Sequence, residues 1–563
     1  MSIKIFELLN NSLRYFQDKN FLEAKRSLGQ VLEIEPENFD ALRIMGAISG
    51  AENNYQQAID YFNKTIFLNP KYTESYFNKG LALFKLNKLE EAIICYDKAI
   101  QLNPNFFQAL CGKGIVLNKL NRYHEAIENY NKAIQLKPDY VEAWSNKGLT
   151  LDDLKQYEEA LNHYDKAIQL EPDYAEAWSN KGITLHNLNR YEEALNHYDK
   201  AIQLKPDYVE AWSNKGITLH NLNRYEEALN HYDKAIELNS IYADAHFGKS
   251  LIKIQTGDFK EGWKFYDYRF KTFEVMEPLY DLNKNLWDGK FLNGTLLVWS
   301  EQGIGDHLFY GRMVQCLRNK AKKIIFIVDK RLINLFKNFF SNIGINNIEI
   351  IEKNLNKPYI NFEKHIPAGS LGNFFANSEK EILNFSKNSF VIDNSKDYTK
   401  ISKFLNNLNG FKVGLSWKTL NKKEQYRNIP LEKLISIFKN KNCSLINLQF
   451  GFTIKEIQEA EESSSIKIHS LKEMDIFNDI DELSFLINNL DLLITIQNTT
   501  AHLSLVFQKK TFVLLPTNSR WQWGLVGEKS IWYPAAHIFR QSKFNNWIDV
   551  LKKVKISLDR FFV

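Results

Sequence analysis

The chain has 563 residues, 44% hydrophobic and 25% charged, with a formal net charge of +5. This is an ordinary globular composition, too long for a single hydrophobic core. No apolar run reaches 18 residues, which excludes a helical membrane span. The first twenty residues lack a basic stretch followed by an apolar one, so no secretory leader is expected and the expected location is cytoplasmic. Cys95, Cys111, Cys316 and Cys443 are scattered without a CxxC pair, which fits reduced thiols and neither a disulfide framework nor a zinc site. Charge is uneven. Residues 1–273 carry 33 Lys and Arg against 38 Asp and Glu, and the remainder 39 against 29. The back half therefore attracts an anionic ligand more than the front half does. No dense basic run is present, so no nucleic-acid partner is expected.

The front part is periodic. Prolines stand at 36, 70, 104, 138, 172 and 206, a spacing of 34 each time. Trp144, Trp178 and Trp212 recur in register, as do Gly80, Gly114, Gly148, Gly182 and Gly216 and alanines such as Ala160 and Ala167. Apolar positions follow helical spacing in two segments per period. Proline closes the second helix because it lacks an amide donor and disfavours helix before it. This pattern resembles the tetratricopeptide repeat. The resemblance implies an α-solenoid of about eight repeats over residues 1–273, with a groove for a protein or peptide. In the last repeat Ser240, His246 and Ser250 replace the proline, tryptophan and glycine, so it reads as a cap or adaptor. Asn78, Asn146, Asn180 and Asn214 hold one place in their repeats; Ile44, Gly112 and Gly248 interrupt the series. In superhelical repeats fused to protein O-GlcNAc transferases, asparagines at this place hold peptide backbone. The resemblance thus makes these four a candidate partner-binding ladder, and polar helix surface copied by duplication explains them equally. His186, His197, His220 and His231 are repeat copies too, and no metal is expected on them.

After a linker at 274–293 the period changes. LLVWS, KIIFIV and IEII are short apolar runs separated by amphipathic stretches, the β-α-β pattern of a parallel sheet. A second set begins at KVGLSW and runs through CSLINLQF, DLLITI and TFVLLP. Two Rossmann-like halves are expected, 294–405 and 406–563, joined by a turn-prone stretch near 395–411. Ligands of such sheets bind at the carboxyl ends of the strands.

The ordered motifs EQGIGDHLFYGRM, HIPAGSLGNFF, VGLSWK…YRNIPLEKL, LINLQFG, NLDLLITIQNTTAHLSLVF and LLPTNSRWQWG resemble the heptosyltransferase-like glycosyltransferases of family nine. The resemblance covers about 290–550. It implies an α/β GT-B fold and transfer of a sugar from a nucleotide-diphosphate donor, a co-substrate, without a metal or other cofactor. Asp306 matches the general base on the acceptor hydroxyl; capping of its own helix explains an acid there as well. Arg427 matches a basic residue on the donor phosphate. For the rest the residues themselves speak. Gly303 and Gly305 suit a tight turn and close ligand approach. Lys418 follows a strand end and is a second phosphate candidate. Gln449 and Gly451 follow another and stand near the nucleotide. Asn498, Thr499 and Thr500 suit a helix start whose amides receive phosphate, with His502 on the first turn. Gln497-Asn498 departs from the Asp-Thr of relatives, where the acid binds sugar hydroxyls. This change signals altered sugar preference or lost catalysis.

Two further motifs carry other readings. Asp479-x-Asp481 opens a helical run, which favours acids at its start over a metal site. Arg520, Trp521, Trp523 and Gly524 read as a sugar-stacking platform or a packed lid. The alternative to an enzyme is an interaction scaffold on a degenerate transferase fold. A dehydrogenase is disfavoured, because after Gly303 and Gly305 no third glycine completes the fingerprint.

Overall fold

The computed structural model describes residues 2–272, 278–353, 360–451, 453–471 and 474–560. The expected boundary at 273/274 and the first part of the linker lie outside them. The chain clusters into two compact units, Met1–Thr218 and Leu219–Val563. The last repeat helices therefore belong to the same unit as the back half.

From Ser2–Gln17 to Phe259–Tyr266 the chain forms sixteen helices in eight consecutive pairs. Each pair is joined by a turn. Seven of these turns carry Lys19, Asn53, Asn87, Asn121, Lys155, Asn189 and Asn223 at φ near +60°, and the eighth carries Gly257 at +90°; asparagine and glycine tolerate this region well. The repeated glycine has a steric cause. A Cβ on Gly148 would stand 2.8 Å from the Tyr164 ring, so the first helix of the pair must be bare where the tyrosine of the second crosses it. The tryptophans tie each pair to the preceding turn: the indoles of Trp144, Trp178 and Trp212 donate to the carbonyls of Pro138, Pro172 and Pro206 at 2.9 Å. In the variant last repeat His246 Nε2 meets the Ser240 carbonyl at the same 2.9 Å, so the substituted ring keeps the bond.

The copied histidines are packing elements. His163 and His197 lie on the Trp144 and Trp178 rings at 5.4 and 5.3 Å, and His186 Nδ1 pairs with Thr218 Oγ1 at 2.8 Å. Burial pushes all three down to about 4. A histidine held neutral this way contributes stability above its unfolded value of about 6.5. That contribution is lost as pH falls from there toward 4. Thermal unfolding of the array should therefore shift to lower temperature between pH 7 and pH 5, read by circular dichroism at 222 nm. A profile flat across that interval would mean the rings are solvated.

The second unit contains two parallel sheets. The first has the order β3-β2-β1-β4, from β1 (Leu292–Trp299), β2 (Ala321–Val328), β3 (Ile348–Glu352) and β4 (Lys364–Pro367). The second has the order β10-β9-β8-β5-β6-β7, from β5 (Phe411–Ser416), β6 (Cys443–Asn447), β7 (Ile468–His469), β8 (Leu492–Ile496), β9 (Thr511–Leu515) and β10 (Ala536–Arg540). The strands β8 and β9 are buried along their length and β1, β2 and β5 over their carboxyl-terminal halves, as strands covered by helices on both faces are. The stretch read as a turn-prone junction instead carries the helix Thr399–Asn406, whose Ile401 and Leu405 are buried. The linker is partly packed: Trp287 is buried, and Leu286 bridges His365. Among the described residues no helix is long and apolar enough to cross a membrane.

Candidate functional site

Strand order decides where the site lies. In the second sheet β5 and β8 are neighbours and the chain leaves them in opposite directions, so a crevice opens beyond their carboxyl ends. The segments after β1, β5, β8 and β9 all reach it. Together they enclose a cavity of about 350 Å³ lined by Gln302, Gly303, Ile304, Gly305 and Asp306 from one half. The other half gives Thr419, Asn421, Glu424, Arg427, Gln497, Asn498, Thr499, His502, Arg520 and Trp523. A second cavity of about 270 Å³ shares Ile304, Thr419, Asn421, Asn498 and Thr499 with it. That one is more apolar, with Phe450, Phe477, Ile480, Leu483 and Leu503, and it also takes Lys418, Gln449 and Thr500. Phe450 and Phe477 stack at 4.3 Å. Gly451, at φ +102°, lines neither cavity.

Asp306 is the third residue of the helix Ile304–Gly311, whose N-cap is Gly303. Its carboxylate accepts from the Gly303 amide and faces Arg520, with Nη1 to Oδ1 at 4.0 Å. Burial pushes its pKa up, against the pull of Arg520 and that amide. So Asp306 closes its own helix by reaching back to the cap and also lines the cavity.

The glycines act differently from the expectation. Gly303 has φ −92°, a region open to any residue, and the turn's positive φ belongs to Gln302 at +55°. Gly305 is constrained by approach: a Cβ there would stand 3.0 Å from His502 Cδ2. Its bareness lets the helix Ile304–Gly311 meet the helix Thr499–Val506 across the two halves.

Asn498 caps that second helix, accepting from Ala501 N at 3.1 Å, and its Nδ2 donates to Ser416 Oγ at 2.8 Å. Its side chain thus ties β5 to β8, while the free first-turn amides of the helix begin beside both cavities. His502 Nδ1 pairs with the Tyr533 hydroxyl at 2.6 Å. Burial, then Arg520 and Arg312, depress its pKa to about 3. It is a neutral ring that can exchange hydrogen bonds and brings no charge to an anion. Gln497 accepts from Arg520 N at 3.1 Å, and its buried Nε2 has no partner.

Three expected ligand contacts have other partners. One oxygen of Gln449 receives Ser416 Oγ, Trp417 N and Lys418 N at 3.1, 2.9 and 2.9 Å, while its Nε2 donates to Phe450 O. It therefore pins the end of β5 through its oxygen, and one of its two amide N–H donors is taken by Phe450 O. Lys418 Nζ donates to Glu456 Oε2 at 2.5 Å. Arg427 Nη2 donates to Glu424 Oε1, also at 2.5 Å. Trp521 and Trp523 are buried. Trp521 packs on Trp263, Tyr266 and Phe309, and Trp523 stacks on Tyr533 and His502, so this segment is a packed lid. Asp479 caps its helix by accepting from Glu482 N. Among the described residues no group of three His, Cys, Asp or Glu is placed to hold a metal.

Glu424 was not legible as a site residue, because a surface-type KKEQYR run gives no sign of converging on the distant Arg520. In the array, Asn78, Asn146, Asn180 and Asn214 are half-buried on the first helices of their pairs, and Asn146 Nδ2 donates to Glu142 O at 2.7 Å. A second polar series lies nearby. Asp152 receives Thr184 Oγ1 at 2.6 Å and Asn187 Nδ2 at 3.2 Å, and Asp153 receives Asn118 Nδ2 at 3.0 Å. Its signal in the sequence was a polar pair recurring one repeat apart.

Comparison with known proteins addresses the front part. Residues 73–106, 141–174, 175–208 and 209–242 match the tetratricopeptide repeat family, as do 95–128, and 114–154 match a TPR repeat family. Protein FlbA of Caulobacter vibrioides is 26% identical over 314 residues, which are 53% of this chain and 52% of that protein. The chain thus spans about half the length of this relative. Among solved structures, YrrB, "a TPR protein with an unusual peptide-binding site", is 29% identical at a TM-score of 0.27, covering 34% of this chain and 98% of its own. A tetratricopeptide repeat protein from Parabacteroides merdae is 17% identical at 0.40, covering 44% and 98%. Residues 73–242 are tetratricopeptide repeats, a module of protein–protein interaction.

Proposed function

We propose that the second unit is a GT-B-type glycosyltransferase that moves a sugar from a nucleotide-diphosphate donor to an acceptor recruited by the repeat array. The carrying observation is the cavity at the switch point, where buried Asp306 of one half faces Arg520, Arg427 and a helix N-terminus of the other. The resemblance to family-nine transferases supports the same assignment of Asp306 and Arg427. A sugar hydroxyl is a poor nucleophile, and a carboxylate in reach takes its proton as the new bond forms. Charge growing on the departing diphosphate is met by guanidinium groups and helix amides. The apolar cavity beside it, with its stacked phenylalanines, suits a planar base. The acceptor is a protein in our reading, since the array is a protein-binding module; a lipid-linked or free glycan fits the transferase resemblance as well.

A second reading is a non-catalytic scaffold. It is favoured by Gln497-Asn498 in place of an acid and by the engagement of Arg427 with Glu424. Calorimetry on the full chain with UDP, GDP, ADP and CMP separates the two. The transferase should select one nucleotide, and a ligand at a hundred times its Kd should stabilise the folded chain by about 2.7 kcal/mol. A cooperatively melting chain that responds to none of them is the scaffold.

A further inference from the structure

The larger cavity holds an ion cluster that the transfer reading leaves unexplained. A single oxygen, Glu424 Oε1, accepts from Arg427 Nη2 at 2.5 Å and from Arg520 Nη2 at 3.2 Å. Arg520 also faces Asp306 at 4.0 Å. Burial pulls the Arg520 pKa down, and Asp306 and Glu424 together outweigh it and raise it. Arg427 is 4% exposed, and its buried Nε has no acceptor. Two guanidiniums therefore converge on one carboxylate oxygen at the rim of a cavity, with donor capacity left over. Planar guanidiniums in such a pair match phosphate oxygens better than they match one carboxylate oxygen. Glu424 itself stands on a short turn, Lys422–Arg427, at φ −119°, ψ 18°, where the helical geometry breaks. Its carboxylate is thus carried by the loop between β5 and the next helix, outside the rigid sheet.

We propose that Arg427 and Arg520 form a two-guanidinium subsite for a phosphoryl dianion, and that Glu424 is its resident stand-in, displaced when the ligand's phosphate arrives. This rests on the nucleotide-diphosphate reading above and adds to it Arg520 and Glu424 as residues that set the affinity. The carboxylate balances the buried Arg427 and the partly exposed Arg520, and it competes with every anion that enters.

The test uses the full chain and inorganic pyrophosphate, followed by calorimetry, with UDP, GDP and ADP in parallel. Glu424→Gln keeps the side chain's size and removes the competing charge; pyrophosphate should bind about tenfold tighter. Arg520→Gln in the otherwise unchanged chain should weaken it by about as much, and added to Glu424→Gln it should cancel the gain. Thermal melts confirm that each variant folds; if Glu424→Gln does not, the Arg520→Gln arm decides alone. Nucleotide binding that is unchanged or weaker in Glu424→Gln overturns the stand-in while leaving the transferase reading in place. Pyrophosphate binding that tightens while no nucleoside diphosphate binds keeps the subsite and removes that reading. No binding by any form overturns both.

Discussion

Asp306→Asn should lower sugar transfer by about two to four orders of magnitude, the range of a general base, while nucleotide binding persists. The substitution is chosen because Asp306 serves two ends. Its carboxylate accepts from the Gly303 amide that begins the helix Ile304–Gly311, and an asparagine oxygen can accept there too. What is lost is the negative charge and the capacity to take a proton. Burial raises the pKa of this acid, so the acid limb of the pH–rate profile should lie above the ordinary carboxylate range. The same shift carries a stability sign. A carboxyl whose folded pKa is raised favours folding when protonated at low pH, and opposes it once pH passes the folded value. Asp306→Asn should therefore melt at a slightly higher temperature than the natural chain at pH 7 while losing turnover, as expected where activity and stability conflict. Full turnover in a folded Asp306→Asn chain would remove this acid from the chemistry.

The array was legible because its information is repeated. Each 34-residue period carries the same steric demands, a bare glycine under a tyrosine ring and an indole reaching a carbonyl, so one period reads the others. The strands of the second unit were legible as apolar runs between turns. What failed was partnership. Gln449 stands at a strand end, as a ligand contact would, yet its oxygen is consumed by three donors of the neighbouring strand. Gly303 and Gly305 looked like one turn signal, but Gln302 takes the positive φ, and Gly305 is small because His502 arrives from nearly two hundred residues away. Glu424 and Arg520 meet across ninety-six positions, and no local pattern announces that. Short elements such as β7 and the helix Ile454–Ser464 were missed because neither carries a strong apolar period.

Trp263→Ala should destabilise the second unit by about 3–5 kcal/mol, the usual cost of emptying a buried aromatic site. For a unit of this size that corresponds to a fall in Tm of about 4–7 °C. Trp263 lies on Phe259–Tyr266, the last helix of the array, and reads in sequence as part of a terminal cap. It is 1% exposed. Its ring meets Tyr266, Trp521 and Trp532 at 4.8, 5.5 and 6.3 Å, and its indole donates to Ala376 O at 3.0 Å. A Cβ on Gly372 would stand 2.4 Å from it, so that glycine is the floor of its socket. Trp521 in turn packs on Phe309, which neighbours His502. The helix therefore works as a plug in the core beneath the candidate site, and a fragment beginning after residue 273 would open that socket to water. Trp263→Phe retains most of the ring area and loses the hydrogen bond, so it should cost only about 1–2 kcal/mol. A Trp263→Ala chain whose second transition does not move would show the helix to be a cap that the cleft does not need. A fall in Tm with nucleotide affinity reduced alongside would show that the end of the array is part of the site's foundation.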